Sequence, residues 1–529
     1  MTMISSLCKS VRHFVTATAI LLLPTNGFSG QPIASRDLDD VASQIDELLH
    51  QAWQRDQIQP AAHSEDAEFC RRVWLDLAGV APPVAEIRRF LHDSSTDKRS
   101  HLIDRLLGTR RHAIHMASRW VDVLLPDDTQ AIPQANNGIQ SLHQWLQTQF
   151  INNVRYDQIV ADLLTAKGSV DSGPSVFYAA HTAEPEKLAA ATSRIFLGLQ
   201  LQCAQCHDHP FDRWTQEDFW AYAAFFGQVQ QSEARMNRSM VIVDRGDGEV
   251  TLPDTEQVVP PRYPGSTTDP EPDPLGIRRR QLTIWMASRD NPYLARAAAN
   301  RVWGQMFGHG LVEPVDAMDA ANTPSHPEVL DLLAQTLVQQ RFDLRSLYAV
   351  IARTQAYQVS SRYSGAPDDR PPNDSFAVMA VKTLTAAQFY DSMQQNIYRT
   401  TSSLDASGPM SIDGRRLAYL ARMRATSATP RDYPHGIVQA LGLINGPEIL
   451  TASQATTQGI LGAVQADFFS DQQRIETLFL ATLSRYPDDS EAKTFLSHLS
   501  KARDAPSRAR ALGDVVWVLL NTAECAMCP

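Results

Sequence analysis

The chain has 529 residues, with 48 Lys and Arg against 59 Asp and Glu, 43% hydrophobic residues and six cysteines. That length suits two or three domains of ordinary size, and an aromatic content of 8% excludes wholesale disorder. A formal net charge of -11 argues against nucleic acid as a partner, and so few cysteines cannot form a disulfide scaffold.

The amino terminus reads as an address. Lys9 and Arg12 precede a mostly apolar run from Phe14 to Leu23, which Pro24-Thr25-Asn26-Gly27 then breaks. The run is shorter than the roughly 20 residues that a helix needs to cross a bilayer. Residues 1–30 are therefore expected to be a secretory signal peptide, removed together with Cys8. An uncleaved interfacial anchor is the alternative, because the segment fits the A-x-A cleavage rule poorly. No Cys follows the apolar run, so the usual lipoprotein attachment point is missing. The expected product is exported, periplasmic or at the cell surface, with no transmembrane segment after signal removal.

From Asp37 to about Phe226 apolar residues recur every three or four positions, as in Val41, Ile45, Leu48 and Leu49, then Phe69, Val73, Trp74 and Leu77. Thr96-Asp97-Lys98-Arg99 starts another helix, and Gly79, Pro82 and Pro83 act as breaks. Met240–Val243 and Glu249–Leu252 flank Asp244-Arg245-Gly246-Asp247-Gly248, which suits a β-hairpin far better than a calcium loop. A Pro-rich stretch from Pro260 to Pro274 reads as a linker. Helical periodicity resumes near Ile277, where Ser325-His326-Pro327-Glu328 has capping-box spacing. No internal repeat is evident. The expected fold is mainly α: a helical domain over 31–236, a β-containing Pro-rich connector over 237–275, and a second helical domain over 276–529. Arg71-Arg72 and Arg278-Arg279-Arg280 read as solvated or salt-bridged helix faces.

The chemistry concentrates at Cys203-Ala204-Gln205-Cys206-His207, a C-x-x-C-H motif. This is the attachment pattern of c-type haem: two thiols add to the porphyrin vinyl groups and the adjacent His supplies an axial iron ligand. One turn of helix sets both sulfurs along one haem edge while the next residue points at the metal. Asp208-His209-Pro210-Phe211-Asp212-Arg213-Trp214 follows, so two Cys and two His fall within seven residues. Such a cluster also suits Zn or non-haem Fe. A third reading is a redox-inert local disulfide or buried thiols. His209 is badly placed to ligate the face opposite His207. Met236, Met240, His181, His309 and His326 are the sixth-ligand candidates. Thr215-Gln216-Glu217-Asp218 caps a helix bearing Phe219, Trp220, Tyr222, Phe225 and Phe226, either a haem wall or ordinary core. Cys525 and Cys528 are expected to form a disulfide, alone or with Cys70. Glu313, Asp316, Asp319 and His326 suggest a metal or acid–base cluster, or else capping around a loop. There is no G-x-S-x-G elbow, P-loop or Rossmann fingerprint.

Cys203-Ala-Gln-Cys-His-Asp-His-Pro-Phe-Asp-Arg-Trp-Thr-Gln216, with Phe69-Cys-Arg-Arg-Val-Trp-Leu-Asp-Leu-Ala-Gly79 and Asp97-Lys-Arg99 upstream, resembles the planctomycete cytochrome-like domain family. Asn291–Trp303, Gly308–Asp316, Asn322–Glu328, Tyr357–Ser361, Leu443–Pro447, Leu483–Pro487 and Trp517–Asn521 resemble the partner family usually fused after it. The resemblance implies an exported protein whose reaction is unassigned, and a haem at Cys203, Cys206 and His207. Many relatives carry a further cytochrome c module upstream, which this sequence does not contain. The tail Glu524-Cys-Ala-Met-Cys528 also departs from the aromatic-rich ending expected of the partner family. An exported redox protein with covalent haem c is the expectation, in electron transfer or haem-linked oxidation, with a redox protein or small molecule as its partner. A non-haem metal protein and an envelope scaffold are the alternatives.

Overall fold

The computed structural model describes residues 35–126, 136–233, 240–267, 270–288, 291–320, 322–399, 414–423, 446–454 and 458–529. Residues 1–30, expected to be a signal peptide, and Met236 lie outside them. The described chain is mainly α, as expected, with two small antiparallel sheets. Among the described residues no helix is long and apolar enough to cross a membrane. One apolar core runs from Leu38 to Met379 and takes in Leu480. A second runs from Leu384 to Cys528 and takes in Leu75. Side chains before and after the Pro-rich stretch thus share the first core. The stretch is itself packed: the Tyr263 ring stacks between Phe225 and Trp285, at centroid distances of 5.1 and 4.7 Å.

The helix Asp66–Ala78 touches both cores, and it is buried along almost its whole length. Apolar positions alone cannot explain that, because Arg71, Arg72 and Asp76 are buried with it. Arg71 donates to the carbonyls of Thr482 (3.0 Å) and Cys525 (2.9 Å). Arg72 donates to the carbonyls of Tyr357 (2.6 Å) and Val359 (2.9 Å), and to Glu68 one turn back (2.7 Å). Asp76 accepts from Tyr357 Oη and Lys382 Nζ, both at 2.7 Å. Of the solvated or salt-bridged reading, the salt-bridged half holds in both arginine runs, as in Arg72–Glu68 and Arg278–Glu249, but Arg71 and Arg72 are buried rather than solvated. Arg279 is also buried, with the carbonyls of Leu164 and Ala166 at 3.0 Å and Asp244 at 2.8 Å. A guanidinium has five fixed donors, and here they satisfy loop and helix-end carbonyls that would otherwise be buried without partners.

The expected hairpin is half right. Met240–Asp244 is a strand, β3, but it pairs antiparallel with β2 (Val229–Glu233) and β1 (Gly168–Ser169). Residues 249–252 do not join it; Thr251 makes an isolated bridge to Val258. Arg278 explains the diversion, because it binds the Gly248 carbonyl and the Glu249 carboxylate, both at 2.8 Å, and draws that segment to its own helix. A Cβ on Gly248 would lie 2.0 Å from the Gly227 carbonyl oxygen, so only glycine permits this approach. A second pair joins β4 (Lys382–Thr383) to β5 (Met527–Cys528). The capping box expected at Ser325 does not form: the helix Pro327–Gln339 starts after His326, and Ser325 Oγ donates to the Leu311 carbonyl instead (3.2 Å).

Three buried histidines brace these helices in neutral form. His112 Nδ1 donates to the Leu77 carbonyl (2.8 Å), and His143 Nε2 meets Ser118 Oγ (2.9 Å). Burial pushes His112 and His143 down to about 4, and His115 well below the ordinary histidine range. In the unfolded chain the same groups titrate near 6.5. Between those limits the unfolded state binds more protons. Their contribution is therefore present above pH 6.5 and is lost as the pH falls toward 4, at about 1.4 kcal/mol per pH unit for each histidine. The urea midpoint should drop steadily from pH 7 to pH 5; a flat profile would contradict neutral burial.

Candidate functional site

The C-x-x-C-H segment follows a helix that runs from Pro185–Thr192 into a wider turn, Ser193–Leu197. Gly198 ends it in the left-handed region (φ 68°), where a Cβ would lie 2.8 Å from Met318 Sδ. The chain then folds into a tight turn, Leu201–Ala204. Leu201 and Ala204 point inward and are fully buried, while Cys203, Cys206 and His207 face solvent. The spacing of three that buries one pair of residues presents both thiols outward. The local-disulfide and buried-thiol readings both fail here, because Cys203 and Cys206 are free and exposed.

The next helix, Gln216–Ala223, holds this turn by its peptides. Thr215 and Asp218 form a capping box, with Thr215 Oγ1 accepting from the Asp218 amide at 3.1 Å. Asp208 Oδ1 accepts from the Gln216 amide at 2.8 Å, a carboxylate on a helix N-terminus. Gln216 Nε2 donates to the carbonyls of Gln205 (3.2 Å) and Cys206 (3.0 Å), and Trp220 Nε1 donates to Gln205 (3.0 Å). Positions 216 and 220 share one helix face, so two side chains one turn apart grip adjacent carbonyls. Of the aromatic stripe, Phe219, Tyr222, Phe225 and Phe226 are buried core, and Trp220 alone serves the turn.

The two histidines differ in the lone pair they offer. His207 Nδ1 lies 2.7 Å from the Asp208 carbonyl, which can only accept, so the proton sits on Nδ1 and the Nε2 lone pair is free. His209 Nδ1 accepts from the Phe211 amide at 3.2 Å, so its proton sits on Nε2. The His209 amide also donates to the Trp214 carbonyl (2.8 Å), closing a short loop whose tip, Phe211, is 82% exposed. The segment therefore presents two thiols and one imidazole lone pair. Among the described residues no three His, Cys, Asp or Glu side chains converge as a cation site.

Other candidates have local partners. Met240 opens β3 and pairs with Glu233. His181 is buried, with Nε2 3.2 Å from the Leu124 carbonyl. His309 and His326 both pack against the Phe376 ring, at 6.2 and 5.6 Å. Glu313 caps the Gly310 amide (2.8 Å), Asp319 accepts from the Asn322 amide (2.9 Å), and Asp316 binds Arg194 (2.9 Å) and Arg301. Glu313 and Asp319 thus cap a loop, and Asp316 is held in ion pairs. The disulfide expected among Cys70, Cys525 and Cys528 does not form, since all three are free and buried. Cys525 Sγ faces the Thr482 carbonyl (3.8 Å) and Cys528 Sγ faces Asp76 (4.0 Å). Burial pushes these two thiols up, to about 11 and about 12, which keeps them protonated and inert.

Residues 44–231 match the family model PSCyt2, described as a protein of unknown function (DUF1549). Residues 278–412 match PSD1, a protein of unknown function (DUF1553). No curated protein and no solved structure matches the chain. The two matches stand in the order that the sequence motifs imply, and the C-x-x-C-H turn and its supporting helix lie inside the first.

Proposed function

We propose, on the premise of this planctomycete-type two-family architecture, that the protein is an exported redox protein in which Cys203 and Cys206 would hold one c-type haem covalently and His207 would ligate its iron. The observation that carries the reading is the ligand set: two outward thiols on one turn, and a neighbouring imidazole whose Nδ1–H is tied to a carbonyl so that Nε2 is free. Each thiol would add across one vinyl group, sulfur to one carbon and hydrogen to the other, with no leaving group and no net oxidation. The haem would supply one-electron chemistry at iron.

The chain's own residues would orient that chemistry. Gln216 and Trp220 fix the Gln205 and Cys206 carbonyls, and Asp208 fixes the imidazole tautomer. The exposed setting of Cys203, Cys206 and His207 suits exchange of electrons with another protein better than capture of a substrate in a closed cleft. Export, expected from residues 1–30, would suit the reading as well, because thioether attachment takes place outside the bacterial cytoplasm. The test is a pyridine haemochrome spectrum of protein purified from cells competent in cytochrome c maturation. One c-type haem per chain is expected. Stoichiometric zinc or iron without porphyrin would favour the non-haem reading through Cys203, Cys206, His207 and His209, and neither metal nor haem would favour a scaffold.

A further inference from the structure

The segment 524–529 lies against the helix Asp66–Ala78 as a strap, and its only buried side chains are two thiols, Cys525 and Cys528. It is held mainly by its peptides. Arg71 donates to the carbonyls of Cys525 (2.9 Å) and Met527 (3.3 Å), and Arg72 to that of Pro529 (2.6 Å). The Leu384 amide donates to the Ala526 carbonyl (2.9 Å), next to the short pairing of β5 with β4. Glu524 adds an ion pair with Arg485 (2.6 Å). The charged groups that grip the strap each keep another partner when it leaves. Arg71 retains the Thr482 carbonyl, Arg72 retains Tyr357, Val359 and Glu68, and Arg485 retains Glu491. Asp76, beside Cys528, retains Lys382 and Tyr357. Lifting the strap therefore orphans no buried charge, which is the usual large penalty for breaking such contacts. A segment held in this way can open ahead of the whole fold.

The two sulfurs of the seated strap are directed at different groups: Cys525 Sγ at the Thr482 carbonyl (3.8 Å) and Cys528 Sγ at Asp76 (4.0 Å). Both groups are acceptors, which a thiol hydrogen can meet. A disulfide has no hydrogen to donate and would set sulfur lone pairs against a carbonyl and a carboxylate. The seated position thus suits the reduced pair alone. Once the strap is free, the C-x-x-C spacing lets the same two cysteines bond to each other.

We propose that this strap is a redox latch, seated while Cys525 and Cys528 are thiols and held open once they are joined. Its action is independent of the haem reading. Joining them takes an external disulfide: one thiolate attacks it and expels a thiol, and the second attacks the mixed disulfide and expels another. Two electrons and two protons thereby pass to the reagent. The experiment alkylates the purified protein in a urea series, with and without oxidised glutathione, and maps each cysteine by peptide mass. Cys70, fully buried in the first core, reports global unfolding. Below the global midpoint Cys525 and Cys528 should alkylate together, about tenfold or more faster than Cys70. With oxidised glutathione they should be linked to each other, and the Leu384 amide, having lost Ala526, should exchange with deuterium about tenfold faster. Cys528→Ser should leave Cys525 unlinked and return Leu384 to its slow exchange once the glutathione adduct is reduced. The latch is overturned by alkylation of the pair only in step with Cys70, by a released pair that stays unlinked, or by a linked pair with Leu384 still protected.

Discussion

Arg72→Met is expected to destabilise the protein by about 3–5 kcal/mol. Arg72 is fully buried and donates to three backbone carbonyls, those of Tyr357, Val359 and Pro529, besides Glu68. Removing the guanidinium leaves Glu68 with an uncompensated charge and strands the carbonyls of a distant segment. The same helix presents Asp76 to Lys382 and Tyr357, so Asp76→Ala should cost a similar amount by leaving the largely buried Lys382 ammonium with the Met306 carbonyl but no carboxylate. The two effects should not add, because both variants release the same contact between the helix Asp66–Ala78 and residues 357–382. Chemical denaturation of both single variants and the double variant checks this. A loss below about 1 kcal/mol in each would mean that the buried ion network is replaceable by packing.

The second large effect follows from the proposed haem. Cys203→Ser and Cys206→Ser are each expected to leave at most one thioether, and the double variant none, so the haem becomes extractable by acidified solvent. His207→Ala should keep both thioethers and change the spectrum, since only the axial imidazole is removed. Gln216→Ala sits between these cases. It breaks the bonds to Gln205 and Cys206 without touching a ligand, and should lower the yield of attached haem while leaving its spectrum intact. Retention of covalent haem in the double cysteine variant would place the attachment elsewhere in the chain.

How much of this was legible in the sequence depends on what kind of contact set each feature. Helices set by their own periodicity were readable, as at Asp66–Ala78, Lys98–Leu107 and Pro327–Gln339. The C-x-x-C-H turn was readable too, because its chemistry lies in adjacent residues. Features set by a distant partner were not. Arg71 and Arg72 look like a surface pair until carbonyls more than 280 positions away arrive to bury them. The 249–252 segment reads as a strand, but Arg278 captures it first. Ser325 reads as a cap and bonds to Leu311 instead. At the site, the i, i+4 pair Gln216 and Trp220 could have been assigned to one helix face, but nothing in the sequence says that this face meets the Cys206 carbonyl.

Intact mass of the mature protein under denaturing conditions tests the central claim most directly. Thioether bonds survive denaturation, whereas coordinated metals and loosely bound porphyrin do not. The haem reading predicts the mass of the processed chain plus one haem, with Cys203 and Cys206 resistant to alkylation. A chain of unmodified mass whose Cys203 and Cys206 both alkylate, from cells that attach haem to other proteins, would contradict it.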